Sequence, residues 1–258
     1  MAVSDPTIKT KPAVDETGRK SSRVLQTRDL RKEFGGLTAT DDVDFALEEG
    51  ELRCLIGPNG AGKSTFLNLL TGQLEPTAGS IYYDGHDITA MPSHERVERG
   101  ISMKFQVPSI YEGLTVAQNL RVPLQQVVDD DFAVRTREIL ERFDLLAERE
   151  TTASDLSHGQ QQRLEIGMAM ALEPKLLLLD EPVAGLSVEE TAEIADLLCE
   201  IAADDGVALI VIEHDIDFVE SIADRVTVLD QGTIFREGSI EEIKADPEVK
   251  RIYLGEDH

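Results

Sequence analysis

Nine consecutive residues constrain this chain more than any others: Gly57, Pro58, Asn59, Gly60, Ala61, Gly62, Lys63, Ser64 and Thr65. Their spacing is G-x-x-x-x-G-K-[ST], in which glycines let successive backbone N–H groups turn inward around phosphates. The flanks supply the context this pattern needs. Leu52, Arg53, Cys54, Leu55 and Ile56 form a short apolar run fit for a buried strand, and residues 65–71 read as a helix ending at Gly72. A helix N-terminus behind the glycines adds partial positive charge where an anion would sit. Lys63 is then placed to reach the outer phosphates, and the Ser64 hydroxyl to ligate Mg²⁺. The stretch is a nucleotide-binding site.

A second strong signal lies more than a hundred residues downstream. Leu176, Leu177, Leu178 and Leu179 suit a central parallel strand buried on both faces, and Asp180 and Glu181 follow at its C-terminal end. Ligands of open α/β sheets bind at that edge. There Asp180 can hold Mg²⁺ through its water shell while Glu181 faces an attacking water. Three further residues carry weak signals when taken singly. Phe34 offers an aromatic face ahead of the phosphate loop, Gln106 ends a strand over 101–105, and His214 ends the apolar strand over 207–212. Alone, Gln106 and His214 read as ordinary residues, whereas the Phe34 ring could stack on an adenine or be an ordinary half-buried aromatic.

The remainder punctuates into elements. Strands are expected from Val24, over 43–47 and over 80–83, and a hairpin over 225–235. Helical patterns cover 93–99 and most of 114–172. S/T-x-x-E/Q capping boxes open at Thr115, Ser157, Ser187 and Ser239, the last starting a short helix that Pro247 interrupts. Residues 1–22 are polar and aperiodic and read as a disordered tail.

The chain has 258 residues, with 50 acidic and 25 basic, nine of the latter lysine, for a formal charge of −25. Such a surface repels phosphodiester backbones, so general nucleic-acid binding is disfavoured. The acidic residues are spread along the chain, which favours adaptation to high salt over a single acidic docking face. Cys54 and Cys199 sit in apolar stretches without metal-binding spacing and read as small core residues of a reducing compartment. No apolar run approaches the ~18 residues of a membrane span, and no signal-peptide segment opens the chain. The expectation is a protein that stays inside the cell.

In this order the pieces resemble an ATP-binding cassette. The phosphate loop, Gln106, the run Leu156, Ser157, His158, Gly159, Gln160, the Asp180–Glu181 pair and His214 correspond to that family's five motifs. The resemblance implies an α/β P-loop NTPase domain over 23–240 with a mixed sheet core. It also implies an inserted helical subdomain over about 107–165 and a short C-terminal helical extension over 241–258. Within the family, the phrases at 34–37, 104–106, 156–168, 180–186 and 252–255 look most like ATPase subunits of branched-chain amino acid and urea importers.

It further implies roles. Phe34 would stack on adenine, and Gly57 through Thr65 would hold the phosphates. Ser64, Gln106 and Asp180 would attend Mg²⁺, with Glu181, His214 and Gln106 serving hydrolysis. Ser157, Gly159 and Gln160 would face the ATP of an identical or paralogous subunit in a head-to-tail dimer. The partners implied are transmembrane permease subunits and, indirectly, an extracytoplasmic solute-binding protein, with this chain peripheral on the inner membrane face. A non-transport ATPase, as in iron–sulfur assembly, and a lipid-exporter ATPase are the competing readings. Two positions depart from the commoner pattern: His158 stands for Gly, and Ser187 for Asp.

Overall fold

The computed structural model describes residues 23–104, 110–127 and 131–254. Gln106 and the N-terminal tail lie outside the described residues. The antiparallel strands β1 (Arg23–Phe34) and β2 (Leu37–Glu48) lead into β3 (Leu52–Ile56), the phosphate loop and helix α1 (Lys63–Leu70). Then come β4 (Ala78–Tyr83), β5 (His86–Asp87), α2 (Ser93–Glu98) and β6 (Ile101–Lys104). Helices α3 (Val116–Leu124), α4 (Phe132–Arg142) and α5 (His158–Met170) stand between β6 and β7 (Leu176–Asp180). The chain closes with α6 (Val188–Asp205), β8 (Ala208–Ile212), α7 (Ile216–Ile222), β9 (Arg225–Asp230), β10 (Thr233–Gly238), α8 (Ile240–Ala245) and α9 (Pro247–Leu254).

Two sheets result. One is antiparallel, in the order β2-β1-β4-β5. The other runs β10-β9-β3-β8-β7-β6, with five parallel strands and β10 antiparallel at the edge. All five residues of β3, β7 and β8 are buried, the charged Arg53 and Asp180 included, as strands covered on both faces of a parallel sheet are. Their period of two divides the core. Leu176, Leu178, Ile210 and Ile212 face α1 and the antiparallel sheet, together with Phe45 and Phe66. Leu177, Leu179, Leu209 and Val211 face the other way, against Leu120, Leu140, Phe143 and Leu164 of the α3–α5 segment and Leu198 of α6. The hydrophobic filling between the helices of that segment is therefore continuous with the sheet's own.

The capping boxes at Thr115, Ser157, Ser187 and Ser239 all form, each with reciprocal side-chain and backbone bonds. Two details differ from the sequence expectation. Strand β2 is twelve residues long, because bulged pairing with β1 extends it well before Val43. Pro247 does not interrupt a helix but opens α9, where its missing N–H is harmless. Among the described residues no helix is long and apolar enough to cross a membrane.

Candidate active site

The phosphate loop is shaped by contacts made from main chain to main chain. Gly57 has φ 150° and Gly62 φ 101°. A Cβ on Gly57 would lie 2.1 Å from the Leu229 carbonyl oxygen, and one on Gly62 would lie 2.4 Å from that of Ala39. Only glycine fits either place. The Gly232 N–H donates to the Ala61 carbonyl at 2.9 Å, and Asp41 N–H to the Gly232 carbonyl at 2.8 Å, so the β9–β10 turn is pinned against the loop.

Gly62 is the N-cap of α1, which leaves the amides of Gly62, Lys63, Ser64 and Thr65 without partners inside the helix. That is a cradle for an anion. Lys63 is 7 % exposed, and its ammonium donates to the Gly57 and Pro58 carbonyls at 2.6 and 3.1 Å. Burial pulls its pKa below the ordinary lysine value, while Glu181 and Asp180 push it back up.

At the far end of α1 the guanidinium of Arg96 is almost completely buried. It donates to the terminal helix carbonyls of Leu69 and Leu70, each at 2.7 Å, and to carbonyls of Ile88, Thr89 and Met91. Burial lowers its pKa to about 10. A cation at the C-terminal end of a helix complements the dipole whose positive end serves the loop.

Strand β8 separates β3 from β7, and Ile212 is level with both Leu55 and Asp180. The phosphate loop, Glu181 and His214 therefore leave the sheet from three adjacent strand ends. Asp180 is 7 % exposed. Glu181 adopts left-handed backbone, φ 50°, and its Oε1 lies 3.2 Å from His214 Nε2. A non-glycine residue in that region marks a position enforced by its surroundings. Phe34, Asn59 through Thr65, Asp180, Glu181 and His214 line one cleft of about 720 Å³. Phe34 is 44 % exposed at its mouth, with the Lys32 ammonium 5.1 Å from the ring centroid.

The cleft unites most of the residues singled out in the sequence. It adds Leu37, Thr38, Ala39, Ile212 and Gln231, none of them a candidate site residue from sequence, which the pairing of distant strands brings to the loop. Gly57 and Pro58 contribute through the loop's backbone.

Ser157, Gly159 and Gln160 do not line this cleft. They form the N-terminus of α5, where Ser157 and Gln160 cap each other reciprocally. The two unusual positions stand at the starts of α5 and α6. His158 Nε2 lies 3.1 Å from the Ala184 carbonyl. The Glu190 carboxylate accepts from Gly159 N–H at 3.2 Å and Ser187 N–H at 3.0 Å. The Ser187 amide leads in holding the pKa of Glu190 below the usual glutamate value.

Ser64 and Asp180 present hard oxygen donors to the cleft, as Mg²⁺ requires when phosphate oxygens and water complete its shell. Among the described residues no group of three or more His, Cys, Asp or Glu could hold a metal by itself.

Comparison with known proteins agrees with this geometry. Residues 40–184 match the family described as ABC transporter. The chain is 36 % identical over 253 residues to the high-affinity branched-chain amino acid transport ATP-binding protein BraF of Pseudomonas aeruginosa, covering 92 % of this chain and 99 % of BraF. It is 35 % identical over 238 residues to the lipopolysaccharide export system ATP-binding protein LptB of Escherichia coli, covering 90 and 98 %. The ADP conformation of MJ1267, an ATP-binding cassette of an ABC transporter, superposes with a TM-score of 0.83 at 32 % identity, covering 91 % of this chain and 99 % of that one. The dimeric structure of MJ0796, a bacterial ABC transporter cassette, gives 0.75 at 28 %, covering 84 and 98 %. With the phosphate loop, the acid pair and the histidine gathered on one sheet edge, the chain belongs to the ABC transporter family, as one of its ATP-hydrolysing transport ATPases.

Proposed function

We propose that this chain drives an importer for branched-chain amino acids, binding ATP with Mg²⁺ at the cleft and hydrolysing it while docked on membrane permease subunits. The observation that carries the catalytic part is the approach of His214 to Glu181 at 3.2 Å on the cleft that also holds Lys63, Ser64 and Asp180. The similarity to BraF supports the choice of solute.

The α1 amides and Lys63 would bind the phosphates, and Phe34 the adenine ring. Mg²⁺, attended by Ser64, Asp180 and Gln106, would neutralise charge on the phosphates. Glu181 would then orient and polarise the attacking water, with His214 beside the outer phosphate. Ser157, Gly159 and Gln160 lie away from the cleft, which fits a role against the ATP of a second subunit, identical or paralogous. The dimeric relative MJ0796 supports that arrangement. The choice among branched-chain amino acids, urea and short amides would rest with other subunits that recognise the solute. An extracytoplasmic solute-binding protein would do so first. The acidic surface fits a cytoplasm rich in salt.

The likeness to LptB favours lipopolysaccharide export as the second reading. One experiment separates the two. Tagged protein is recovered from its native membranes at high salt and its partners are identified by mass spectrometry. Two multispanning permeases, a second small ATPase and a solute-binding protein that takes up leucine, isoleucine or valine support import. Recovery of lipid-export components would replace that reading, and recovery of soluble scaffold proteins alone would remove transport altogether.

A further inference from the structure

Glu213 lies between the last residue of β8 and His214, and only 4 % of it is exposed. A buried carboxyl is costly unless its oxygens find donors. Here both do. Val183 N–H donates to Oε1 at 3.2 Å, and His214 N–H donates to Oε2 at 3.1 Å. Its own main-chain N–H donates to the Leu55 carbonyl at 3.4 Å. One residue is thereby joined to three neighbouring strand ends: β3 just before the phosphate loop, β7 through the turn that carries Glu181, and β8, which it closes.

That turn needs restraint, because Glu181 sits in left-handed backbone. The two amides that bracket it are both fastened to the β8 side. Glu181 N–H bonds the Ile212 carbonyl at 3.0 Å, and Val183 N–H bonds the Glu213 carboxylate. Burial raises the pKa of Glu213, the Val183 and His214 amides pull it back, the Glu181 charge raises it, and the Asp215 amide lowers it. Glu213 does not line the cleft, so it has no direct route to the phosphates.

We propose that Glu213 is a positioning residue for ATP hydrolysis: its carboxylate clamps the turn after β7 to the turn after β8 and so fixes the approach of His214 to Glu181. This rests on the assignment of Glu181 and His214 to the hydrolytic step. The contribution is geometric, so it belongs to turnover and not to nucleotide capture.

Glu213→Gln tests it with little change of shape. The amide oxygen still accepts one N–H, but its NH₂ faces the other and cannot accept. Steady-state ATP turnover, affinity for a fluorescent ATP analogue and thermal melting are measured on the full chain. The expected result is a fall in kcat of about tenfold with nucleotide affinity held within about twofold. Turnover at the wild-type rate overturns the proposal, as does an affinity loss that matches the loss in kcat. Should Glu213→Gln melt below the assay temperature, Glu213→Asp takes its place. It keeps the charge but, one methylene shorter, reaches one amide only, and the same two outcomes decide. Glu181→Gln and His214→Ala run alongside. If both hydrolyse ATP normally, the underlying assignment fails; if both are dead while the Glu213 variants are fully active, only the clamp does.

Discussion

Lys63 and Glu181 reach the same cleft from either side of β8, and substituting them separates capture from chemistry. Glu181→Gln keeps the shape of the side chain but not its charge. It should retain ATP affinity while turnover falls at least about a hundredfold, the scale of losing a positioned general base. Phosphate release and analogue binding, measured on the same sample, check both halves. Lys63→Ala removes the cation that the loop surrounds and should weaken nucleotide binding by at least about tenfold, a loss of roughly 1.4 kcal/mol. Unchanged binding would contradict the assignment of the loop. Lys63, Ser64, Asp180 and Glu181 were legible because each belongs to a local pattern with its own strand or helix. Phe34 and His214 were not legible singly, since neither has a neighbour in sequence that shares its task. Only the resemblance, and then the sheet, gathers them. Ala39 and Gln231 left no sequence signal, because what brings them to the loop is strand pairing across the chain.

At the scale of elements, sequence pattern determines structure most directly where a segment's character is set locally. The run Leu176 through Leu179 reads as a strand buried on two faces, and the alternation of its side chains between two cores is what that reading requires. The four capping boxes mark helix starts for the same reason. The alternation at 43–47 marks only the end of β2, because bulges break the pattern before it, and pairing with β1 reveals its full extent. Arg96 is the element-scale surprise. Its guanidinium holds together the end of α1 and the segment 88–91, yet in sequence it is one charged residue on a short surface-like helix. Arg96→Met should cost about 3 kcal/mol, because several buried carbonyl oxygens lose their donors at once. A urea melt gives that figure directly; a loss within about 0.5 kcal/mol, the size of an ordinary surface change, would mean that solvent replaces the guanidinium freely.

For the whole molecule the dominant quantity is the charge of −25. If the acidic surface is an adaptation to salt, molar KCl should raise the melting temperature by screening self-repulsion. Equal stability in dilute buffer would end that idea. The same charge bears on assembly, since two such chains repel each other over roughly 10 Å at 0.1 M salt. Association of the Glu181→Gln variant with ATP, followed by sedimentation, should therefore strengthen as KCl is raised. A dimer that weakens with salt would place favourable ion pairs at the interface instead. The order of the central sheet has one more effect. Two hydrogen-bonded spacings, about 9.6 Å together, separate the strand that feeds the phosphate loop from the strand that ends at Glu181. Those spacings cannot stretch without breaking the ladder. On the proposed assignment the pitch of the sheet would act as a length gauge: a nucleotide anchored on the loop would meet Glu181 and His214 only with a phosphate tail long enough to cross that distance.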